Sequence, residues 1–108
     1  MAIQLPPPLD LYVQLENSGD FDALSDCFAS DATVRDENHT YQGLAAIKEW
    51  KTAAKKKYGH TLAPLEVADR GGKTVLKANV AGNFPGSPVT LEFSFALESG
   101  KIASLEIH

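Results

Sequence analysis

The chain has 108 residues, the length of one domain, and we expect a single domain over residues 1–108. Hydrophobic residues make up 44% and charged residues 22%, which is ordinary for a globular protein. The net charge of −4 argues against nucleic acid as the main partner, because phosphate binding needs a basic surface.

The hydropathy pattern and the single cysteine indicate which cellular compartment to expect for the protein. No apolar run approaches the ~18 residues of a membrane-spanning helix, and the first residues lack the basic region of a secretion signal. The single cysteine, Cys27, allows no internal disulfide, which fits a reducing compartment. We therefore expect a cytoplasmic protein without a membrane partner.

Two helices and a strand are predicted in the first third of the chain. Tyr12 lies on the apolar stripe of the first helix, which Gly19 ends, and a short second helix follows over residues 20–28. In the strand that comes next, Asp36 shares a face with the apolar Ala32 and Val34, because successive side chains of a strand alternate. A carboxylate on the apolar side raises the question of what that side faces.

A turn up to Gly43 and a third helix over residues 43–59 are predicted next. One face of this helix is apolar, with Trp50 or Lys51 at its middle, and the run of lysines at 55–57 is interpreted as a solvated face. Beyond Gly59 the hydrophobic period changes to two. This change predicts four strands within residues 62–69, 73–84, 89–98 and 101–108.

This order of elements predicts an α+β fold, with three helices packed on one face of a curved, mostly antiparallel sheet so that they enclose a cone. The outward side chains of the two long strands are small and mildly polar. We expect them to form a homodimer interface between two sheets, and the alternative is an ordinary solvated face.

Three stretches carry a resemblance to a known family. They are Asn17 to Asp20 (NSGD), Phe28 to Val34 (FASDATV) and Gly43 to Trp50 (GLAAIKEW). Over nearly its whole length the chain resembles the nuclear transport factor 2-like superfamily, which implies a cystatin-like α+β roll. These motifs are specific for the fold and weak for function, because the fold hosts many activities.

Within that superfamily the chain is most similar to ketosteroid isomerases and SnoaL-like polyketide cyclases. The resemblance implies a conical homodimer that binds a flat apolar molecule, with Asp36 as the catalytic base and Tyr12 as the hydrogen-bond donor to the developing oxyanion. A second acid donates a hydrogen bond in the isomerases. Phe93 stands at the matching position, which places steroid isomerisation in doubt.

The residues themselves leave both roles open. An acid facing an apolar cavity is a candidate general base, whereas Asp36 at a strand end could equally reach solvent or bond the following turn. Tyr12 could polarise a ligand carbonyl, or simply pack in the core with its hydroxyl bonded to protein or water.

Apolar inward side chains are predicted to line a ligand pocket, although a filled core is the alternative. These candidate ligand-binding residues are Phe28, Trp50, Val80, Phe84, Phe93 and Phe95. The three histidines are far apart in sequence, so neither a metal site nor a cofactor is expected.

The first functional hypothesis is therefore a small-molecule-binding domain that acts on an apolar carbonyl compound by cofactor-independent proton transfer, as an isomerase or cyclase does. The second is a non-catalytic ligand-binding or accessory module with the same pocket. The third is a structural dimer whose cone is filled.

Overall fold

The computed structural model describes residues 4–36 and 38–108. Its helices are α1 (Pro7–Ser18), a short 3-10 helix (Phe21–Asp26) and α2 (Leu44–Tyr58). Its strands are β1 (Phe28–Asp36), β2 (His39–Gln42), β3 (Thr61–Arg70), β4 (Lys73–Ala81), β5 (Val89–Glu98) and β6 (Lys101–Ile107). Among the described residues, no helix is long and apolar enough to cross a membrane.

The strands form one six-stranded sheet in the order β2-β1-β6-β5-β4-β3. All neighbouring pairs are antiparallel except β1 and β6, which run parallel. This arrangement confirms the α+β class with a mostly antiparallel sheet. Pro64 lies on the edge strand β3 beside a register shift, as expected for a residue that cannot donate to a ladder.

The structure differs from the prediction in two elements. The segment predicted as a turn contains β2, whose four residues are too few to reveal a period of two. The predicted second helix is a 3-10 helix: Phe21, Leu24 and Cys27 are buried at intervals of three, which matches three residues per turn.

The helix ends follow the predicted glycines. Gly19 takes a left-handed conformation (φ 80°) after α1, and its N–H donates to the carbonyl of Leu15 at 2.8 Å. Gly59 (φ 57°) ends α2 in the same way. Left-handed glycines satisfy carbonyls that a helix end would otherwise leave open.

Asn17, in the first motif of the resemblance, ties α1 to the sheet. Its side-chain amide donates to the carbonyl of Leu62 (3.1 Å) and accepts from the N–H of Leu62 (2.7 Å), as a neighbouring strand would. Lys55 of α2 donates to the carbonyls of Asn17 and His60. The ends of both helices and the start of β3 are therefore held at one point, and this point adjoins the candidate site.

The outward face of the sheet carries charges of both signs. Lys73 lies 3.2 Å from Glu106 across the strands, and Lys77 is paired in register with Glu92. Val75, between them on β4, is only 8% exposed. This face is thus more polar than its small side chains suggested, with an apolar centre.

Candidate functional site

A cavity of about 910 Å³ opens on the inward side of the sheet, between α2 and strands β1 to β6. This volume lies within the range of roughly 300–1,000 Å³ that is common for small-molecule sites. Of the nineteen described residues that line the cavity, eleven are aromatic or aliphatic and eight are acidic or basic. Its acidic and basic members are Glu16, Asp36, His39, Lys51, His60 and His108, joined near the ends of β1 and β6 by Arg35 and Glu106 of the outward face. Its aromatic members are Tyr41, Trp50, Tyr58, Phe84 and Phe93.

The structure separates the predicted site residues into two groups. Those that line the cavity are Asp36, Trp50, Val80, Phe84 and Phe93. Those that lie in the packed core and do not belong to the lining are Tyr12, Phe28 and Phe95, each at most 1% exposed. The face of each residue was predictable from its spacing, whereas its depth beneath α1 was not. Ligand binding and catalysis by these residues stay predictions.

Asp36 is the last residue of β1 and lines the cavity while partly buried. Val34 and Ala32, two and four residues before it, are fully buried. The side of the strand that carries Asp36 therefore changes from packed core to cavity at this residue. Asp36 is paired with His39 on β2 and with Ile107 on β6, and both of these neighbours also line the cavity.

A group of buried polar side chains adjoins the cavity, and we call Tyr12, Glu16, Lys51 and His60 the Lys51 cluster. The ammonium of Lys51 donates to the Tyr12 hydroxyl at 2.8 Å and lies 2.6 Å from Glu16 Oε1. His60 Nε2 lies 2.8 Å from Glu16 Oε2. Glu16 and Lys51 are only 2% and 3% exposed, and an unpaired charge at that depth would cost several kcal/mol.

Burial and pairing act in opposite directions on Glu16. Burial alone would raise its pKa, but the positive charge and close contact of Lys51 and the hydrogen bond with His60 lower the pKa of Glu16 to about 2. Glu16 Oε1 has no directed hydrogen bond from any described group. Its short distance to Lys51 Nζ is thus a charge contact rather than a well-aligned hydrogen bond.

Tyr12 is placed differently from an exposed oxyanion donor. Burial, followed by the charge of Glu16, raises the pKa of Tyr12 well above its ordinary value, so the phenol keeps its proton at neutral pH. Its ring packs edge-on against Phe28 (5.9 Å) and Phe95 (5.3 Å). Lys51, which donates to the Tyr12 hydroxyl, does line the cavity. The donor residue that the structure brings to the cavity lining here is thus Lys51, whose ammonium lies against the lining residue Trp50.

An aromatic wall stands beside Lys51. The rings of Tyr41 and Trp50 stack with centroids 4.4 Å apart and an interplanar angle of 8°. Lys51 Nζ lies 4.3 Å from the centroid of the Trp50 ring, within cation–π distance. A flat, apolar surface therefore adjoins a fixed positive charge.

His60 is positioned by a close approach of two backbones. A Cβ at Gly82 would lie 2.9 Å from the carbonyl oxygen of Tyr58 and 3.0 Å from the Cα of His60. The residue after β4 must therefore be glycine for the chain beyond α2 to pass so near. Asn83 N–H donates to the same Tyr58 carbonyl at 2.7 Å and fixes this arrangement.

Sequence reasoning missed Glu16, Lys51, His60 and Tyr41. Glu16 follows Tyr12 by four residues, so helical spacing placed both on one face of α1. Lys51 stood on the apolar face of its helix as an alternative to Trp50, which was the signal for its burial. The sequence around His60 carried no such signal.

A metal site and a reactive thiol are two further possibilities, and the described residues support neither. Among residues 4–36 and 38–108, no group of three or more His, Cys, Asp or Glu side chains could hold a metal ion. Cys27 is fully buried, and burial raises the pKa of its thiol to about 12. It therefore remains a thiol at neutral pH and behaves as a small core residue.

The sequence model of the SnoaL-like domain matches residues 9–105. The chain belongs to the SnoaL-like family. This match covers most of the chain and confirms the resemblance carried by the three motifs. No curated protein is similar enough in sequence to match this SnoaL-like domain.

Solved structures agree with this assignment. A putative polyketide cyclase from Sinorhizobium meliloti is 46% identical to this SnoaL-like domain, with a TM-score of 0.91 over 96% of this chain and 95% of that one. A protein with a ketosteroid isomerase-like fold from Catenulispora acidiphila, in complex with trimethylamine, is 18% identical, with a TM-score of 0.83 over 97% and 86%. A cystatin-fold protein from Novosphingobium aromaticivorans is 12% identical, with a TM-score of 0.79 over 99% of both chains. The last two show the fold alone.

Proposed function

We propose that this SnoaL-like domain binds a small apolar carbonyl compound in its cavity and catalyses a cofactor-independent proton transfer of the isomerase or cyclase type. The observation that carries this proposal is the position of Asp36 at a cavity with an aromatic wall and a buried cation. The likeness to the protein from Sinorhizobium meliloti that is named a putative polyketide cyclase, at 46% identity, supports the same class of reaction.

In this mechanism Asp36 removes a proton from the carbon beside the ligand carbonyl. The electron pair of the broken C–H bond forms a C=C bond, and the carbonyl oxygen takes the negative charge as an enolate. Asp36, now protonated, returns the proton to another carbon. Alternatively, the enolate carbon attacks a second carbonyl to close a ring, and Asp36 gives its proton to the alkoxide oxygen that forms. A positioned base of this kind typically contributes about 10²–10⁴-fold to the rate.

The second candidate function is a binding module with the same cavity and no chemistry. The stacked rings of Tyr41 and Trp50 favour it, since a flat wall holds a planar ligand whether or not a base acts on it. The two candidates differ in what Asp36 does to the bound compound.

The deciding experiment measures exchange of α-protons for deuterium by NMR in a panel of apolar aromatic ketones and diketones. Asp36→Asn is expected to reduce the exchange rate at least ~10²-fold while ligand binding is retained. Asp31→Asn, which changes an exposed carboxylate on the same strand, serves as the matched control and leaves exchange unchanged. Bound ligand without any exchange in the native protein would favour the binding module.

The partner and compartment are part of the same proposal: a cytoplasmic homodimer joined through the outward sheet face. The apolar centre at Val75 and the small neighbours Ser94 and Ala96 support close approach of two sheets. Light scattering is expected to give twice the monomer mass, and Ala96→Arg is expected to give the monomer. A native protein that is monomeric at working concentrations would remove the dimer from the proposal.

A further inference from the structure

Lys51 is a buried residue of the cavity lining, and protein groups do not use all the hydrogen-bond donors of its ammonium. An ammonium carries three N–H donors. Among the described residues, one of them donates to Tyr12, and the charge contact with Glu16 Oε1 takes up at most one more. The remaining neighbours are the rings of Trp50 and Tyr12, which are weaker partners than an oxygen atom. One strong donor position is thus left for a ligand.

The surrounding charges permit an anion at this position. Glu16 balances Lys51 when the cavity is empty, and its other oxygen is held by His60. Both oxygen atoms of the Glu16 carboxylate are thus engaged by side chains of the protein. The Tyr12 phenol stays neutral. The other acidic and basic residues of the cavity lining are Arg35, Asp36, His39, Glu106 and His108.

We propose that Lys51 Nζ binds a negatively charged oxygen of the ligand, so that the cavity selects planar conjugated compounds with an acidic hydroxyl, bound as phenolates or enolates. The planar part of such a ligand fits the wall formed by Tyr41 and Trp50, which adjoins the ammonium. A saturated alcohol has neither the flat body nor the charge and gains nothing at this position.

This inference rests on the proposed function for its catalytic meaning. When Asp36 breaks the C–H bond, the negative charge develops on the carbonyl oxygen, and Lys51 would be the catalytic residue that stabilises it. A fixed positive charge in a site with little water lowers the energy of such an oxyanion more than it would in bulk water. Tyr12 and Glu16 would then be positioning residues, which hold the ammonium in place.

The test is ligand ionisation, which requires no turnover. 4-Nitrophenol absorbs visible light as the phenolate, so a pH titration of the protein-bound dye gives its ionisation constant directly. We expect the bound dye to ionise at least ~10-fold more readily than the free dye, a shift of about one pKa unit. The titration is followed over the range in which circular dichroism shows the protein to be folded.

The variant that removes the site is Glu16→Gln combined with Lys51→Met. Changing Lys51 alone would leave Glu16 buried without its cation, and such a protein is at risk of unfolding. In the double variant the bound dye is expected to lose the shift, while binding of nitrobenzene, a neutral compound of similar shape, persists. Asp31→Asn, which changes an exposed carboxylate outside the cavity lining, is the matched control and is expected to preserve the shift.

Three outcomes would overturn the inference. The bound dye could ionise no more readily than the free dye, or the shift could survive in the folded double variant. Tighter Lys51-dependent binding of 4-nitrobenzoate than of 4-nitrophenolate would show that the site is built for carboxylates instead. Failure of the proposed function has a different signature, because α-proton exchange would then be absent while the ionisation shift remains.

Discussion

The inward face of the sheet has two regions, and the same alternation of side chains gives opposite results in them. Beneath α1, Phe95 and Leu105 are completely buried and Tyr12 packs edge-on against Phe95. Leu91 and Phe93, which precede Phe95 on the same strand β5, line the cavity. We call these the filled region and the open region. Their difference shows that helix coverage, and not strand composition, decides where the core ends.

The Lys51 cluster lies where the two regions meet. Tyr12 belongs to the filled region, and its three partners Glu16, Lys51 and His60 line the cavity. Charges at a boundary of this kind are buried deeply enough to be strong and remain within reach of a ligand. This placement links the packed side chains of the filled region to the charged side chains of the open region.

The largest expected effect is a difference in stability between two variants, in which one aromatic residue is replaced in the filled region or in the open region. Phe95→Ala is expected to lower the free energy of unfolding by about 3–5 kcal/mol, because it leaves a void among fully packed neighbours. Phe84→Ala removes a partly buried ring at the cavity, where solvent can fill the space, and is expected to cost less than half as much. Urea unfolding of both variants checks this, and equal losses would break the comparison.

The second largest expected effect is a dependence of the free energy of unfolding on pH, caused by the Lys51 cluster where the two regions meet. The pKa of Glu16 is about 2 in the folded protein and 4.5 as its ordinary value, so its contribution is fully present above pH 4.5 and is lost as the pH falls towards 2. The shift corresponds to roughly 3 kcal/mol. Urea midpoints between pH 6 and 2 are expected to fall less steeply in the Glu16→Gln, Lys51→Met double variant, whose partners carry no charge. Parallel curves would show that the boundary charges do not control acid stability.

A smaller effect sharpens the description of the open region. Gly82→Ala adds a methyl group 2.9 Å from the Tyr58 carbonyl and 3.0 Å from His60, so the backbone there must move. We expect a loss of about 1–3 kcal/mol, as for other overpacked sites. Phe95 and its neighbours are not among the atoms that the new methyl group would crowd, so they are expected to keep their packing. An unchanged melting temperature would mean that the two backbones separate without cost.

Local pattern was sufficient for much of the architecture. Gly19 and Gly59 end their helices because glycine adopts the left-handed conformation readily, and the alternation around Ala32 and Val34 set the face of Asp36. The motifs from Asn17, Phe28 and Gly43 indicated the family to which the chain belongs. Strand β2 escaped prediction, because four residues carry almost no periodic signal.

By itself, the sequence determined which side chains face inward, since that depends on the repeat of a helix or strand. Only the tertiary structure decided that Phe28 and Phe95 are packed while Phe84 and Phe93 face a cavity, because depth depends on where α1 lies across the sheet. The Lys51 cluster likewise arises from packing, which joins residues 16, 51 and 60 across long separations in the chain. The repeat of a helix or strand therefore predicts the direction in which a side chain points. Its neighbours depend on contacts between segments that are distant in the sequence.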